Sequence, residues 1–211
     1  MDDRIYQAWV IRNDPFGNQS WAALSETKRE EIYGEVSASG ERVGGKTELI
    51  CNCTWANQDY FWWGIESYPD LAALQARTEM MEKAGKFNYN SCFSMLATAE
   101  NGPNPVTFPN PIYGLFFVEN NSAAHANYRG LSKEAEQEFW ARDAAIMKET
   151  GCVYVLLARV WSDARYHHFG VMAAPNMAAL QRYMIESADA NHFYQYLTCG
   201  LSLLGTEYKP G

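Results

Sequence analysis

The chain has little positive charge: 17 Lys and Arg stand against 25 Asp and Glu, leaving a formal net charge of -8 and a pI near 5.0. Nowhere do four basic residues cluster, so there is no face for a phosphate backbone and nucleic acid is not an expected partner. Long apolar runs are missing too. No stretch reaches the eighteen residues that a membrane helix needs, and the acidic start Met1-Asp2-Asp3-Arg4 is unlike a secretory leader, so the sequence reads as that of a cytoplasmic protein without a membrane partner.

The cysteines do not pair up. Cys51, Cys53, Cys92, Cys152 and Cys199 are odd in number and fall mostly in strand-like segments, which suits reduced, buried thiols. Cys51-Asn52-Cys53 has no second Cys or His pair at zinc-finger spacing, so no metal site is expected. Gly44-Gly45 ends a helix instead of opening one, which excludes a phosphate-cradling loop, and neither G-x-S-x-G nor H-E-x-x-H occurs.

What the chain does have is an internal repeat. Ile5-Tyr6 aligns with Ile112-Tyr113 at an offset of 107, as do Leu24-Ser25 with Leu131-Ser132. At an offset of 106, Trp55, Tyr60 and Gly64 meet Trp161, Tyr166 and Gly170, and Pro69-x-x-Ala72-Ala73-Leu74-Gln75 meets Pro175-x-x-Ala178-Ala179-Leu180-Gln181. Four prolines and a glycine crowd residues 100–111 between the copies, resisting helix and central strand alike. The reading is a first repeat over 1–99, a linker over 100–111 and a second repeat over 112–211.

Within each copy the hydrophobic period changes in a fixed order. A strand over 6–11 precedes a helix capped by Ser25, with Ser132 opening its counterpart. Two strands follow, over 49–55 and 60–67, joined by a short polar turn. Pro69 or Pro175 is expected in the first turn of a second helix, and a last strand closes the copy. The order β-α-β-β-α-β, twice, predicts an α+β chain of two tandem ferredoxin-like repeats, each an antiparallel four-stranded sheet with helices on one face, the two sheets packed face to face as a barrel.

Alternation in the third strand splits two sets of side chains. Phe61, Trp63 and Ile65, with Phe169 and Val171, are assigned to the helix side; Tyr60, Trp62 and Glu66, with Tyr166, His168 and Met172, to the barrel side. On that reading Glu66 and His168 are the candidate catalytic acid–base groups, because a carboxylate or imidazole among aromatic rings loses solvation and titrates nearer neutrality. Tyr60, Trp62, Tyr166, Asn52 and Arg159 are the candidate substrate-binding residues. His167 and His168, as neighbours on a strand, are expected on opposite faces, which excludes joint metal binding.

The doubled element order and the P-x-x-A-A-L-Q motif resemble the dimeric α+β barrel superfamily over nearly the whole sequence, from Ile5 to Thr206. That resemblance implies a central cavity and a small-molecule enzyme: cofactor-free monooxygenases, cyclases and isomerases belong to the superfamily, as do haem-degrading and haem-dependent enzymes. The leading expectation is acid–base chemistry on an apolar or aromatic substrate in a dry barrel with no cofactor. The alternatives are a haem-dependent member and a non-catalytic small-molecule-binding protein. For haem, His192 offers an axial nitrogen, though its counterpart is Lys86, and Asn52, Trp62 and His168 supply the residue types of the haem-degrading set but not its spacing. Single-unit relatives pair to close a barrel; a homodimer is expected here too.

Overall fold

The computed structural model describes residues 4–191 and 193–208. The first repeat runs β1 (Ile5–Arg12), α1 (Pro15–Ala22), α2 (Glu26–Arg42), β2 (Lys46–Asn52), β3 (Tyr60–Tyr68), α3 (Leu71–Lys83) and β4 (Cys92–Asn101). The second runs β5 (Ile112–Glu119), α4 (Ser122–Arg129), α5 (Lys133–Thr150), β6 (Val153–Val160), β7 (Tyr166–Ala174), α6 (Met177–Asn191), α7 (Phe193–Tyr196) and β8 (Cys199–Glu207).

Local chemistry sets the helix ends in duplicate. The Lys28 N–H donates to Ser25 Oγ and the Ala135 N–H to Ser132 Oγ, both at 3.2 Å. Gly44 and Gly151 follow α2 and α5 at φ 67° and 73°, the left-handed conformation in which a side chain would be strained. Pro69 and Pro175 stand one residue earlier than expected, just before the caps: Asp70 accepts from the Ala73 N–H and Asn176 from the Ala179 N–H. The short helices α1 and α4 were not expected. Asp14 and Asn121 cap them through their own side chains, in segments whose Pro, Gly and Asn content reads as turn.

The strands form one closed barrel in the order β1-β3-β2-β8-β5-β7-β6-β4. Each repeat contributes a ferredoxin-like sheet, and the two join edge to edge at β2–β8 and β4–β6, with all pairings antiparallel. Closure occurs within one chain, so the expected homodimer is not needed to complete it.

The face assignment is reversed over most of β3 and β7. Trp63, Ile65, Phe169 and Val171 point into the barrel, where they form one core with Tyr6, Leu115, Phe117 and Leu203. Glu66 and Met172 face the helix layer. Tyr60 and Tyr166 do pack on the barrel core, as expected, because a bulge intervenes in each strand: Ile11 pairs with Trp62 and Arg12 with Tyr60, while Val118 pairs with His168 and Glu119 with Tyr166. Strict alternation fails across that extra residue. The physical preference is simple, since the interior takes the purely apolar set and the charged residues go where partners exist.

The expected aromatic-lined hollow is also corrected. Trp63, Tyr6, Phe117 and Phe169 are fully buried and fill the middle of the barrel, as eight strands enclose little more room than their own side chains need. Open space is found instead at one end, where a half-open cavity of about 270 Å3 lies under the linker.

On the outside, Glu66 meets Arg77 of α3, with Arg77 Nη2 donating to Glu66 Oε1 at 2.8 Å and the Tyr68 hydroxyl donating to Glu66 Oε2 at 2.7 Å. Arg77 Nη1 contacts both partners. The second repeat solves the same layer differently. Asp143 of α5 accepts from Tyr183, Tyr154 and Ser187 beside the apolar cluster of Met147, Met172 and Leu180. Burial pushes the Asp143 carboxyl up, and the three hydroxyl donors oppose that shift.

Gly64 and Gly170, partners in the repeat, lie beneath the rings of Trp9 and Phe116 on neighbouring strands; a Cβ on Gly170 would fall 2.2 Å from the Phe116 ring. Gly170→Ala is expected to lower stability by about 1–3 kcal/mol through overpacking, and Phe116→Leu in the same chain to recover part of it. Urea unfolding of the parent and both variants measures this. Arg77→Met strands the Glu66 carboxylate and is expected to cost about 3–5 kcal/mol, whereas Glu66→Met with Arg77→Met costs much less. If single and double variants unfold at the same urea midpoint, the pair is not coupled.

Candidate functional site

The residues with the most chemical potential converge on the outer side of the second repeat. The β7 bulge falls at His167, so the two neighbouring imidazoles meet instead of pointing apart. Their Nδ1 atoms are hydrogen-bonded and the rings stand at 90° with centroids 4.6 Å apart. This corrects the expectation of opposite faces. From α4, His125 lays its ring 5.0 Å from that of His167 at a 31° tilt.

The β4–β6 seam brings in the charged members. Thr98 pairs with Arg159, which puts Glu100 beside the histidines although it lies in what reads as linker. Glu100 Oε2 is 2.9 Å from His168 Nε2 and Glu100 Oε1 is 2.7 Å from Arg159 Nε.

Proton placement follows from donor counting. A carboxylate can only accept, so His168 donates from Nε2 and, being neutral, has a bare Nδ1. The contact between the two Nδ1 atoms then requires His167 to donate from its own Nδ1, leaving His167 Nε2 as an available lone pair. Glu100, His168 and His167 form a relay that fixes the tautomer of each ring.

The electrostatics agree with this. Burial lowers the His168 pKa against the opposing pull of Glu100. Burial, then the neighbouring His168 and His125, push His167 down to about 4. Burial alone would raise the Glu100 carboxyl, but Arg159 and His168 hold it below its ordinary value. The side chain of Arg159 is 67% exposed, so its ion pair with Glu100 is screened by water and adds little stability.

The other sequence candidates lie apart from this group. Glu66 is committed to Arg77 and Tyr68 in the first repeat and is not a free base. Tyr166 packs against Phe117 inside the barrel, and Tyr60 packs on the same core. Trp62 sits outside, edge-on to Tyr208 at 5.3 Å. Asn52 accepts from the Thr54 N–H and hydroxyl, closing the turn after β2. Of the seven candidates, His168 and Arg159 belong to this group, while Asn52 pairs with Trp62 across the β2–β3 ladder and Tyr60 and Tyr166 share the barrel core. His192 lies outside the described residues.

Glu100, His125 and the donor role of His167 were missed by sequence reasoning. A bulge at the His167 position, inferred from the repeat, was the one available signal. Burial pushes the Cys51 and Cys53 thiols up, the latter to about 11, which makes them poor nucleophiles. Cys92 and Cys199 are exposed, contrary to the expectation of burial. Among the described residues no group of three or more His, Cys, Asp or Glu is placed to hold a metal ion, and no helix is long and apolar enough to cross a membrane.

No family model matches the chain, and no curated protein matches it. Solved structures do. A double-mutant chlorite dismutase from Candidatus Nitrospira defluvii superposes with a TM-score of 0.78 at 9% identity, over 97% of this chain and 92% of that one. The imidazole complex of the chlorite dismutase from the same organism gives 0.75 at 9%, over 97% and 91%. A haem-binding protein from Thermus thermophilus gives 0.73 at 10%, over 97% and 91%. These likenesses show the fold: a closed α+β barrel of two ferredoxin-like repeats, like that of the chlorite dismutases. They also correct the expectation of a cofactor-free barrel, since one of the structures that the chain resembles is that of a haem-binding protein.

The depressed pKa of His167 has a stability consequence. The unfolded imidazole takes a proton near 6.5 and the folded one only near 4, so between these values the unfolded chain binds more protons. The contribution is full above 6.5 and is lost as pH falls toward 4. His167→Gln should flatten the stability profile across that window. A urea-unfolding series against pH checks this, and equal slopes for variant and parent would exclude it.

Proposed function

We propose that the chain is a haem-dependent protein of this barrel fold in which the His167 imidazole would hold the iron. The observation that carries the reading is the relay on the second repeat: a neutral imidazole with a lone pair at Nε2, whose other nitrogen is tied through His168 to Glu100. The donor set fits the group. A ligating histidine ordinarily gives its second N–H to an acceptor that fixes its tautomer and raises its basicity, and here His168 backed by a carboxylate is that acceptor.

When bound, haem supplies redox and ligand-exchange chemistry at its iron, which Glu66 and His168 alone do not. The chain's own residues do the rest. Burial keeps His167 unprotonated, as an iron ligand must be. Glu100 holds the His168 ring by one oxygen and the Arg159 guanidinium by the other, so the exposed Arg159 brings positive charge within reach of an anionic substrate group. His125 walls one side of His167. In this reading His168 is a positioning residue and not the catalytic base.

Titration of the purified protein with haemin is expected to give a saturable Soret band with one haem per chain. His167→Ala should abolish it or weaken binding by about 10–100-fold, the range seen when ligands or their supporting partners are lost, and His168→Ala should shift the band while retaining haem. His125→Ala should leave it intact. No saturable band sinks the haem reading; a band that survives His167→Ala but disappears in His192→Ala moves the ligand elsewhere.

A further inference from the structure

The cavity of about 270 Å3 at the linker end shares no lining residue with the histidine relay. It is roofed by Pro103-Asn104-Pro105-Val106. Asn104 ties that roof down, its backbone N–H donating to the Val155 carbonyl at 2.7 Å and its side-chain amide to the Tyr154 carbonyl at 3.0 Å, while Val106 packs on the barrel core. A pinned roof over an open space keeps the cavity from collapsing.

Its walls divide by chemistry. Leu49, Ile65 and Val171 make an apolar floor, and the charged residues lining it, Glu48 and Glu207, are both carboxylates. Glu48 Oε1 accepts from the Ser67 hydroxyl at 2.5 Å, and Arg4 reaches Ser67 Oγ through its Nε at 2.9 Å. Tyr113 also lines the cavity. It is 6% exposed, yet its hydroxyl makes no hydrogen bond among the described residues. On the cavity wall this phenol offers an uncommitted donor and acceptor to a guest while its ring stays packed. Burial and then Glu207 push its pKa up to about 12, which keeps it a neutral hydroxyl at physiological pH.

We propose that this cavity is a binding site for a small protonated amine with a compact apolar body, the ammonium lying between the Glu48 and Glu207 carboxylates and the Tyr113 hydroxyl, and the body on the aliphatic floor. Size is consistent: a dry cavity of ~150 Å3 takes up benzene, so this one has room for a phenyl ring and a short chain. The net charge of -8 favours approach of a cation. The site is independent of haem.

The probe is 2-phenylethylamine, with phenylacetate as the control of similar shape and opposite charge, each titrated into the full chain at neutral pH and followed by calorimetry and by NMR shifts. The amine is expected to bind saturably, with phenylacetate at least about tenfold weaker. Tyr113→Phe and Glu48→Gln should each weaken the amine by about three- to tenfold while far-ultraviolet circular dichroism and any Soret band stay unchanged. Either variant weakening the amine, together with the charge preference, supports the site. It is overturned by equal affinity for phenylacetate, by no saturation up to about 10 mM amine, or by unchanged amine affinity in both variants.

Discussion

Closure of the barrel is the constraint from which the remaining structure follows. Two sheets of four strands have four raw edges, and pairing β2 with β8 and β4 with β6 removes all of them. The β2–β8 seam is narrow, with Cys51 opposite Glu207 and Asn52 opposite Thr206, and it closes over Gly205, where a Cβ would meet Cys51 at 2.7 Å and the Trp63 indole at 2.9 Å. Once eight strands close, their inward side chains occupy the space between them. Chemistry is therefore displaced from the centre of the barrel to its outer layer and its end.

That displacement explains how the outer layer treats charge. In the first repeat a carboxylate on β3 is neutralised by a guanidinium on α3. In the second, the buried carboxylate moves to α5 and is held by hydroxyls, beside a cluster of methionine, leucine and tyrosine side chains. The two halves kept the backbone plan of the duplication and diverged in the layer where side chains meet helices. Similar folding physics thus leaves different residues available for function on each side.

Much of the architecture was legible in the sequence, because repeats, caps and strand order are written in local patterns. Ser25, Ser132 and the shared A-A-L-Q segments carry their structural meaning wherever they occur. The faces were not legible, since period-two alternation counts residues and a bulge adds one without marking itself. Glu66 and His168 moved outward for that reason, while Tyr60 and Tyr166, on the far side of the bulges, stayed inward. Glu100 was hidden differently: its role depends on β4 pairing with β6, a contact between residues about sixty positions apart that no local pattern announces.

The bulges themselves bear on where function lies. In both repeats the same irregularity, opposite the end of the first strand, brings two consecutive side chains out of strict alternation. In the first repeat those residues are Phe61 and Trp62, and the latter is used for packing against Tyr208. In the second they are His167 and His168, joined to each other and to Glu100. A bulge is a costly local feature whose presence in both copies is explained by the duplication alone, so its existence says nothing about function. Its occupants do. Apolar rings need only be buried, whereas two imidazoles held neutral lose hydration that packing returns poorly. Only the second repeat places that cost at the bulge, and this is what makes it the candidate site.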